Sequence, residues 1–414
     1  MLNTTRRWAC LALLSLMGRY AAATEVLIEV TDISGGATPE TPIHLASSMN
    51  NWNPGDPGAQ LSPREDGVWT LLLGDLPVGT RLEFKFTLGS WASVEQDAAG
   101  ADIPNRVLVV PQTADGTPHV EHLRIQRFRD PGTPQGWLDP DREIDVVGGR
   151  LERLTIPGGA GPAVDLQRTV LVWIPEAYDA AQHEDARFPV LYMQDGQNLF
   201  ETLPGQPGDW AADDAAAAVI ASGDIFPFLI VGVPHGGTAR MHEYVGFENL
   251  RRVEPAGDGY LRWLIDDVVS EIDARYRTIA EPDARAIGGS SLGGLISLHA
   301  GLEHPDVFGL VLAESISIVL DPEAFWGWIE RYQQAPARLF LGVGTREYGD
   351  GARNEDRNAR YVAEVRRLKA WALAHGATED SLRLLVADGA LHTESAWRAR
   401  LSDAMRFVWG DRSQ

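Results

Sequence analysis

Apolar and polar residues alternate with a period of two through the first quarter of the chain, in short runs over residues 26–30, 43–47, 68–73, 82–88, 107–110 and 122–127. A period of two places every second side chain on one face, so each run predicts a half-buried β-strand. Between the runs lie Asn53-Pro54-Gly55-Asp56-Pro57-Gly58, Glu65-Asp66-Gly67 and Pro77-Val78-Gly79, all residues that build tight turns. Together they predict a small all-β, immunoglobulin-like sandwich over 24–127. The alternation ends at Arg129-Asp130-Pro131-Gly132-Thr133-Pro134-Gln135-Gly136, which predicts a linker over 128–148.

Beyond the linker the pattern changes period repeatedly. Compact apolar runs at 150–155, 169–174, 190–193, 228–233, 286–288, 310–313, 339–343 and 382–386 predict strands, and amphipathic or alanine-rich stretches at 210–221, 259–276, 293–303, 322–331, 359–375 and 395–408 predict helices. Strands that alternate with helices pair mostly in parallel and are covered by helices on both faces. The second unit, 149–414, is therefore α/β.

Composition adds constraints of another kind. Arg6 and Arg7, the apolar run from Trp8 to Met17 and Ala21-Ala22-Ala23 have the three zones of a secretory signal peptide over 1–23, too short to span a membrane, which predicts a periplasmic or secreted protein. The leader carries three arginines and no acid, so its removal takes the formal net charge from -22 to -25. That excess of negative charge argues against nucleic acid and against insertion into, or binding to, anionic membranes. Cys10, within the leader, is the one cysteine, leaving neither disulfide nor thiol nucleophile.

The candidate chemistry centres on Ala286-Ile287-Gly288-Gly289-Ser290-Ser291-Leu292-Gly293-Gly294, where Ser291 stands in G-x-S-x-G between a strand and a helix. A nucleophile elbow needs that context, because small neighbours let strand and helix approach while the serine projects from a strained turn. A nucleophile elbow after an inner strand of such a sheet specifies the α/β-hydrolase fold, with serine, acid and histidine in that order. His392 follows the last strand and is the candidate base. Glu347, in Gly344-Thr345-Arg346-Glu347, is the candidate acid, with Asp350 in the same loop as the alternative. The oxyanion hole requires two convergent N–H groups, one from Leu292 and one from Gly196 or Gln197 after the strand at 190–193. This chemistry needs no cofactor, and no histidine and carboxylate set has metal-ligand spacing.

Five motifs in order, Phe188-Pro189-Val190-Leu191-Tyr192-Met193-Gln194-Asp195-Gly196-Gln197-Asn198, Arg240-Met241-His242-Glu243-Tyr244, the elbow, the Glu347 loop and His392-Thr393-Glu394-Ser395-Ala396-Trp397, resemble the "Putative esterase" family. That family includes enterochelin esterases and is related to feruloyl esterases and mycolyltransferases. The resemblance implies a carboxylic ester hydrolase in which Ser291 attacks and His392 is the base, with Glu347 as acid and Asp195, Arg240, Glu243 and Trp397 lining the substrate site. Beyond Arg240 and Arg346 the motifs hold no basic cluster for a polyanionic catecholate. Met49-Asn50-Asn51-Trp52-Asn53-Pro54, Glu83-Phe84-Lys85-Phe86 and Asp102-Ile103-Pro104-Asn105-Arg106 resemble starch- and glycogen-binding modules, which implies glycan contacts from Trp52, Lys85, Trp91 and Asn105. The expected substrate is a small-molecule or glycan-linked ester. The alternatives are a glycan-binding protein with an inactive hydrolase-like domain and an acyltransferase.

Overall fold

The computed structural model describes residues 23–50, 52–98, 100, 103–114, 117–129, 143–202, 208–249, 253–350 and 352–410. All of the expected leader except Ala23, most of the expected linker, Asn51 and Asp102 lie outside the described residues.

The first unit contains β1 (Ala23–Asp32), β2 (His44–Ser47), β3 (Ser62–Pro63), β4 (Val68–Pro77), β5 (Arg81–Thr87), β6 (Glu95–Gln96), β7 (Arg106–Val109), β8 (His119–Ile125) and β9 (Arg127–Phe128). One sheet has the order β3-β4-β1-β8, a second β2-β5-β7, and β6 pairs with β9. The β1 residues Val26, Ile28 and Val30 face Leu82, Phe84 and Phe86 of β5 in a shared core with Trp69, as the period-two pattern requires. Lys85 departs from expectation. It lies on the opposite face of β5 from the core, yet it is buried, because the 53–55 loop folds over that face and Thr87 Oγ1 donates to Pro54 O. Lys85 is therefore not displayed toward a glycan.

The second unit is an eight-stranded sheet of order β10-β11-β13-β12-β14-β15-β16-β17. Its strands are β10 (Gly149–Pro157), β11 (Gln167–Pro175), β12 (Val190–Gln194), β13 (Leu229–Val233), β14 (Arg285–Ser290), β15 (Leu310–Glu314), β16 (Arg338–Gly344) and β17 (Leu382–Ala387). The β10–β11 and β11–β13 pairs are antiparallel and all others parallel. Alternate residues of each inner strand feed two separate cores: Tyr192, Ile287, Val311 and Leu341 enter one, while Leu191, Ala286, Leu310 and Phe340 enter the other. Both faces are thus apolar, which is why these strands read as continuous hydrophobic runs.

The helices are α1 (Ala212–Ala221), α2 (Arg240–Glu243), α3 (Gly257–Trp263), α4 (Ser270–Arg275), α5 (Leu292–Glu303), α6 (Pro322–Ile329), α7 (Ala352–Ala374) and α8 (Glu394–Trp409), with a π-helical stretch, Leu264–Val269, joining α3 to α4. The arrangement is an α/β-hydrolase fold preceded by an all-β unit. Its consequence for chemistry is that the segments after β12, β14, β15, β16 and β17 emerge along one edge of the sheet from neighbouring strands.

Candidate active site

Ser291 joins β14 to α5 with φ 56 and ψ -120, a backbone conformation that costs a non-glycine residue energy and is held only by its surroundings. The surroundings are close. A Cβ on Gly289 would lie 2.9 Å from Gly293 C, and one on Gly293 would lie 3.0 Å from Asp195 Oδ2. Glycine on both sides is thus a steric requirement of the turn. The peptide N–H of Ser291 donates to Glu314 O at 2.9 Å, and its Oγ is 3.0 Å from Ser317 Oγ. Leu292 begins α5, so its free N–H and the helix dipole point toward the serine.

His392 lies between β17 and α8. Its Nδ1 is 2.6 Å from Glu347 Oε2, and the imidazole is 30% exposed while the carboxylate is buried. Oε1 of Glu347 accepts from Gly344 N at 2.6 Å and from Ser315 Oγ at 2.7 Å. Burial raises the carboxyl pKa, but the His392 bond and charge, the Gly344 N–H and the Ser315 hydroxyl outweigh it, so Glu347 stays below its usual value. An ionised Glu347 makes Nδ1 the protonated nitrogen and leaves Nε2 free to take a proton. Asp350, the alternative acid, points elsewhere: it is exposed and pairs with Arg346 at 2.7 Å.

Ser315 was not anticipated. Its Oγ accepts from Trp397 Nε1 at 2.9 Å while donating to Glu347, and its carbonyl accepts from Tyr361 OH. It is fully buried with φ 43. Trp397, expected among substrate contacts, is 5% exposed, stacks on Trp210 and meets the His392 ring edge to face at 5.1 Å. Its place is behind the histidine, where it holds Ser315. Below these groups Glu314 and Arg400 form a buried two-point ion pair, and burial pushes the Glu314 carboxyl up to about 7 against the lowering effect of Arg400.

The loop after β12 forms the facing wall. Asp195, at φ 57, precedes the tight turn Gly196–Asn198. A Cβ on Gly196 would lie 2.3 Å from Gly232 C, so only glycine lets this loop seat on β13. Gln197 is fixed from its side chain, whose Oε1 accepts from His235 N at 3.4 Å. Asp195 accepts two bonds from Arg240, Nε to Oδ1 and Nη2 to Oδ2, each 2.7 Å. Burial works against the charge on both partners, and their mutual attraction overrides it, lowering the aspartate pKa and raising that of the arginine. Asp195 and Arg240 therefore brace the loop against the elbow.

Glu243 corrects the expectation of a substrate contact. It is completely buried, pairs with Arg168 and accepts from Ala160 N at 3.0 Å, so its carboxylate is taken up by interior partners. On the first unit, Trp52 and Trp91 are half-buried with ring centroids 6.3 Å apart, and Asn105 Nδ2 donates to Glu83 at 3.4 Å. Among the described residues no group of three His, Cys, Asp or Glu side chains is arranged to hold a metal ion, and no helix is long and apolar enough to cross a membrane.

The N-terminal region is 41% identical over 96 residues to an alpha-amylase of Niallia circulans, a match covering 23% of this chain and 7% of that protein. Over 249 residues, 59% of its length, the chain is 23% identical to the uncharacterized protein YbbA of Bacillus subtilis (strain 168), spanning 93% of that protein. Over 313 residues it is 24% identical to an endo-1,4-beta-xylanase/feruloyl esterase of Xylanibacter ruminicola, covering 68% of this chain and 36% of that protein. The chain thus spans far less than two thirds of the amylase and of the xylanase/feruloyl esterase. Among solved structures, a ferulic acid esterase aligns with a TM-score of 0.45 and 19% identity over 64% of this chain and 98% of that one. Residues 161–408, more than half of the chain, match the family model described as "Putative esterase". The chain belongs to that esterase family.

Proposed function

We propose that the protein is a periplasmic or secreted serine esterase that cleaves a carboxylic ester carried by a carbohydrate, by way of an acyl-enzyme. The observation that carries this reading is the buried Glu347 carboxylate bonded to His392 Nδ1, on the sheet edge where Ser291 stands in its strained turn. Ser291 Oγ attacks the ester carbonyl carbon while His392 Nε2 takes the hydroxyl proton. The developing oxyanion accepts from Leu292 N–H and from the N–H of Gly196 or Gln197, and the α5 N-terminus favours the same negative charge. Collapse breaks the bond to the alcohol oxygen, which receives the proton from His392. Water then repeats the sequence on the acyl-serine and releases the acid.

A polyanionic substrate is disfavoured. Arg240 is bound to Asp195 and Arg346 to Asp350, and the chain as a whole is strongly acidic. The sequence relatives support a glycan-linked ester instead: one is an alpha-amylase and another a xylanase/feruloyl esterase. The leader-like start supports export. The test is an ester panel comprising p-nitrophenyl acetate, acetylated xylo-oligosaccharides, feruloylated arabinoxylo-oligosaccharides and a tris-catecholate ester, run with wild type and Ser291→Ala. Turnover of the saccharide esters, abolished by Ser291→Ala, is expected. Turnover confined to the catecholate, or acyl transfer to an added sugar in place of hydrolysis, would contradict the reading, and no turnover at all would favour an inactive glycan-binding protein.

A further inference from the structure

Between His392 and the loop after β12 the site holds a carboxylate that the hydrolytic steps do not use. Glu394 is the first residue of α8, two residues beyond His392, so their Cα atoms are at most about 7 Å apart. Its Oε1 accepts from Asn198 Nδ2 at 3.5 Å. Asn198 follows Gln197 directly, and its N–H donates to Asp195 O at 3.0 Å. Asp195 in turn abuts Gly293, beside the nucleophile. Glu394 and Asn198 therefore bridge the helix that follows His392 and the loop that carries Gly196 and Gln197.

Both side chains are poorly satisfied. Glu394 is only 9% exposed, and a bond of 3.5 Å is at the outer limit for a hydrogen bond. Apart from its own peptide N–H, no other donor among the described residues reaches the carboxylate. Beside it Asn198 Oδ1 is buried with no hydrogen-bond partner among the described residues. A carboxylate in the first turn of a helix gains from the helix dipole at an exposed position as well, so the dipole gives no reason for burying this one. Burial raises the Glu394 carboxyl above its ordinary value, Asp195 adds to the rise, and His392 and Arg240 oppose it. His392 on one side and the Asp195–Arg240 pair on the other thus act on it across the site.

The position of Glu394 fixes which half of an ester it would meet. His392 Nε2 delivers its proton to the departing alcohol oxygen, so the alcohol lies over the imidazole, and the first turn of α8 adjoins it. Two oxygens short of donors at that place fit hydroxyl groups on the alcohol. An anionic group there would be repelled, and a plain alkyl chain would leave both oxygens unpaired.

We propose that Glu394 and Asn198 form an alcohol subsite that selects esters whose alcohol carries a free hydroxyl beside the ester oxygen, as on a sugar ring or polyol. Glu394 accepts from that hydroxyl, and Asn198 Oδ1 accepts from a second donor. This deepens the esterase reading and rests on it for the chemistry at Ser291.

A matched pair of esters tests the contact: trans-2-hydroxycyclohexyl acetate and cyclohexyl acetate, which differ by the one hydroxyl. The kcat/KM for each is measured with the full chain as wild type, Glu394→Gln, Glu394→Ala and Asn198→Ala. The Kd of each is measured by ligand-observed NMR titration of the same proteins in the Ser291→Ala background. The wild type is expected to favour the hydroxylated ester about tenfold or more, Glu394→Ala to abolish that preference, and Glu394→Gln and Asn198→Ala to keep part of it. A residue that only braces α8 against the loop would lower both rates by the same factor, so a preference unchanged in Glu394→Ala overturns the proposal. A wild type that distinguishes the two esters neither in kcat/KM nor in Kd overturns it too. If neither ester nor any of the saccharide esters is hydrolysed, the esterase reading fails, while the ratio of the two Kd values across the variants still decides whether Glu394 reads the hydroxyl.

Discussion

Replacing Ser315 by alanine probes whether Glu347 is a positioned carboxylate or only a buried one. The hydroxyl is one of three donors to an ionised group, and it is also the acceptor for Trp397 Nε1. Losing a hydrogen bond to a charged partner costs about 1.5–3 kcal/mol, and leaving the Trp397 donor buried without an acceptor costs about 1–3 kcal/mol more. The sum is ~4 kcal/mol, which for a unit of this size lowers Tm by about 8–16 °C. Ser315→Gly deletes the same hydroxyl but removes the side-chain penalty at φ 43, so it should be about 1 kcal/mol more stable than Ser315→Ala. Trp397→Phe removes the donor as well, and the double variant Ser315→Ala with Trp397→Phe should therefore lose about 1–2 kcal/mol less than the two singles added together. Activity should follow: kcat/KM in Ser315→Ala falls about tenfold, because Glu347 keeps two of its three donors. Calorimetric unfolding and ester hydrolysis on the wild type and the four variants give all these quantities. A Tm shift under 2 °C with unchanged kcat/KM in Ser315→Ala, or strict additivity in the cycle, would refute the network.

Two further outcomes follow from Glu347. Glu347→Gln should reduce kcat by about two to three orders of magnitude in steady-state hydrolysis, less than removal of the nucleophile, whereas Asp350→Asn should stay within about twofold; the reverse order would assign the acid to Asp350. Because the folded-state pKa of Glu347 lies below its ordinary 4.5, the stability it contributes is complete above that pH and disappears as pH falls through the lower folded value. The Tm advantage of wild type over Glu347→Gln should thus be constant from pH 5 to 7 and shrink below about pH 4.5, and an advantage that grows on acidification would contradict the direction of the shift.

The longer strands of both units were legible because each buries one or two faces, and burial writes itself into a local pattern of period two or into a continuous apolar run, whereas the two-residue strands β3, β6 and β9 are too short to show either. Helix α7 was legible only from about residue 359. It begins at Ala352, and its first turns carry no apolar stripe. They are fastened instead by Asn354 and Asn358, whose side chains bond the backbone of Tyr348, Gly349 and Asp350. The elbow and the candidate positions Glu347 and His392 could be singled out because strand order and motif restrict such groups to strand ends. Ser315 could not, since its role depends on Glu347 and Trp397, which lie 32 and 82 positions away. Glu243 and Lys85 were misjudged for a related reason. The interior partner Arg168 takes up one charge and an overlying loop covers the other, and neither leaves a periodic trace in the sequence.

The central claim, that Ser291 becomes acylated with His392 as its base, is tested most directly by mass spectrometry of the protein quenched during turnover of p-nitrophenyl acetate or after treatment with a fluorophosphonate. The account predicts a single adduct on the peptide containing Ser291, absent in Ser291→Ala and formed at least a thousandfold more slowly in His392→Ala. An adduct on another residue, or equal labelling of Ser291→Ala, would contradict it.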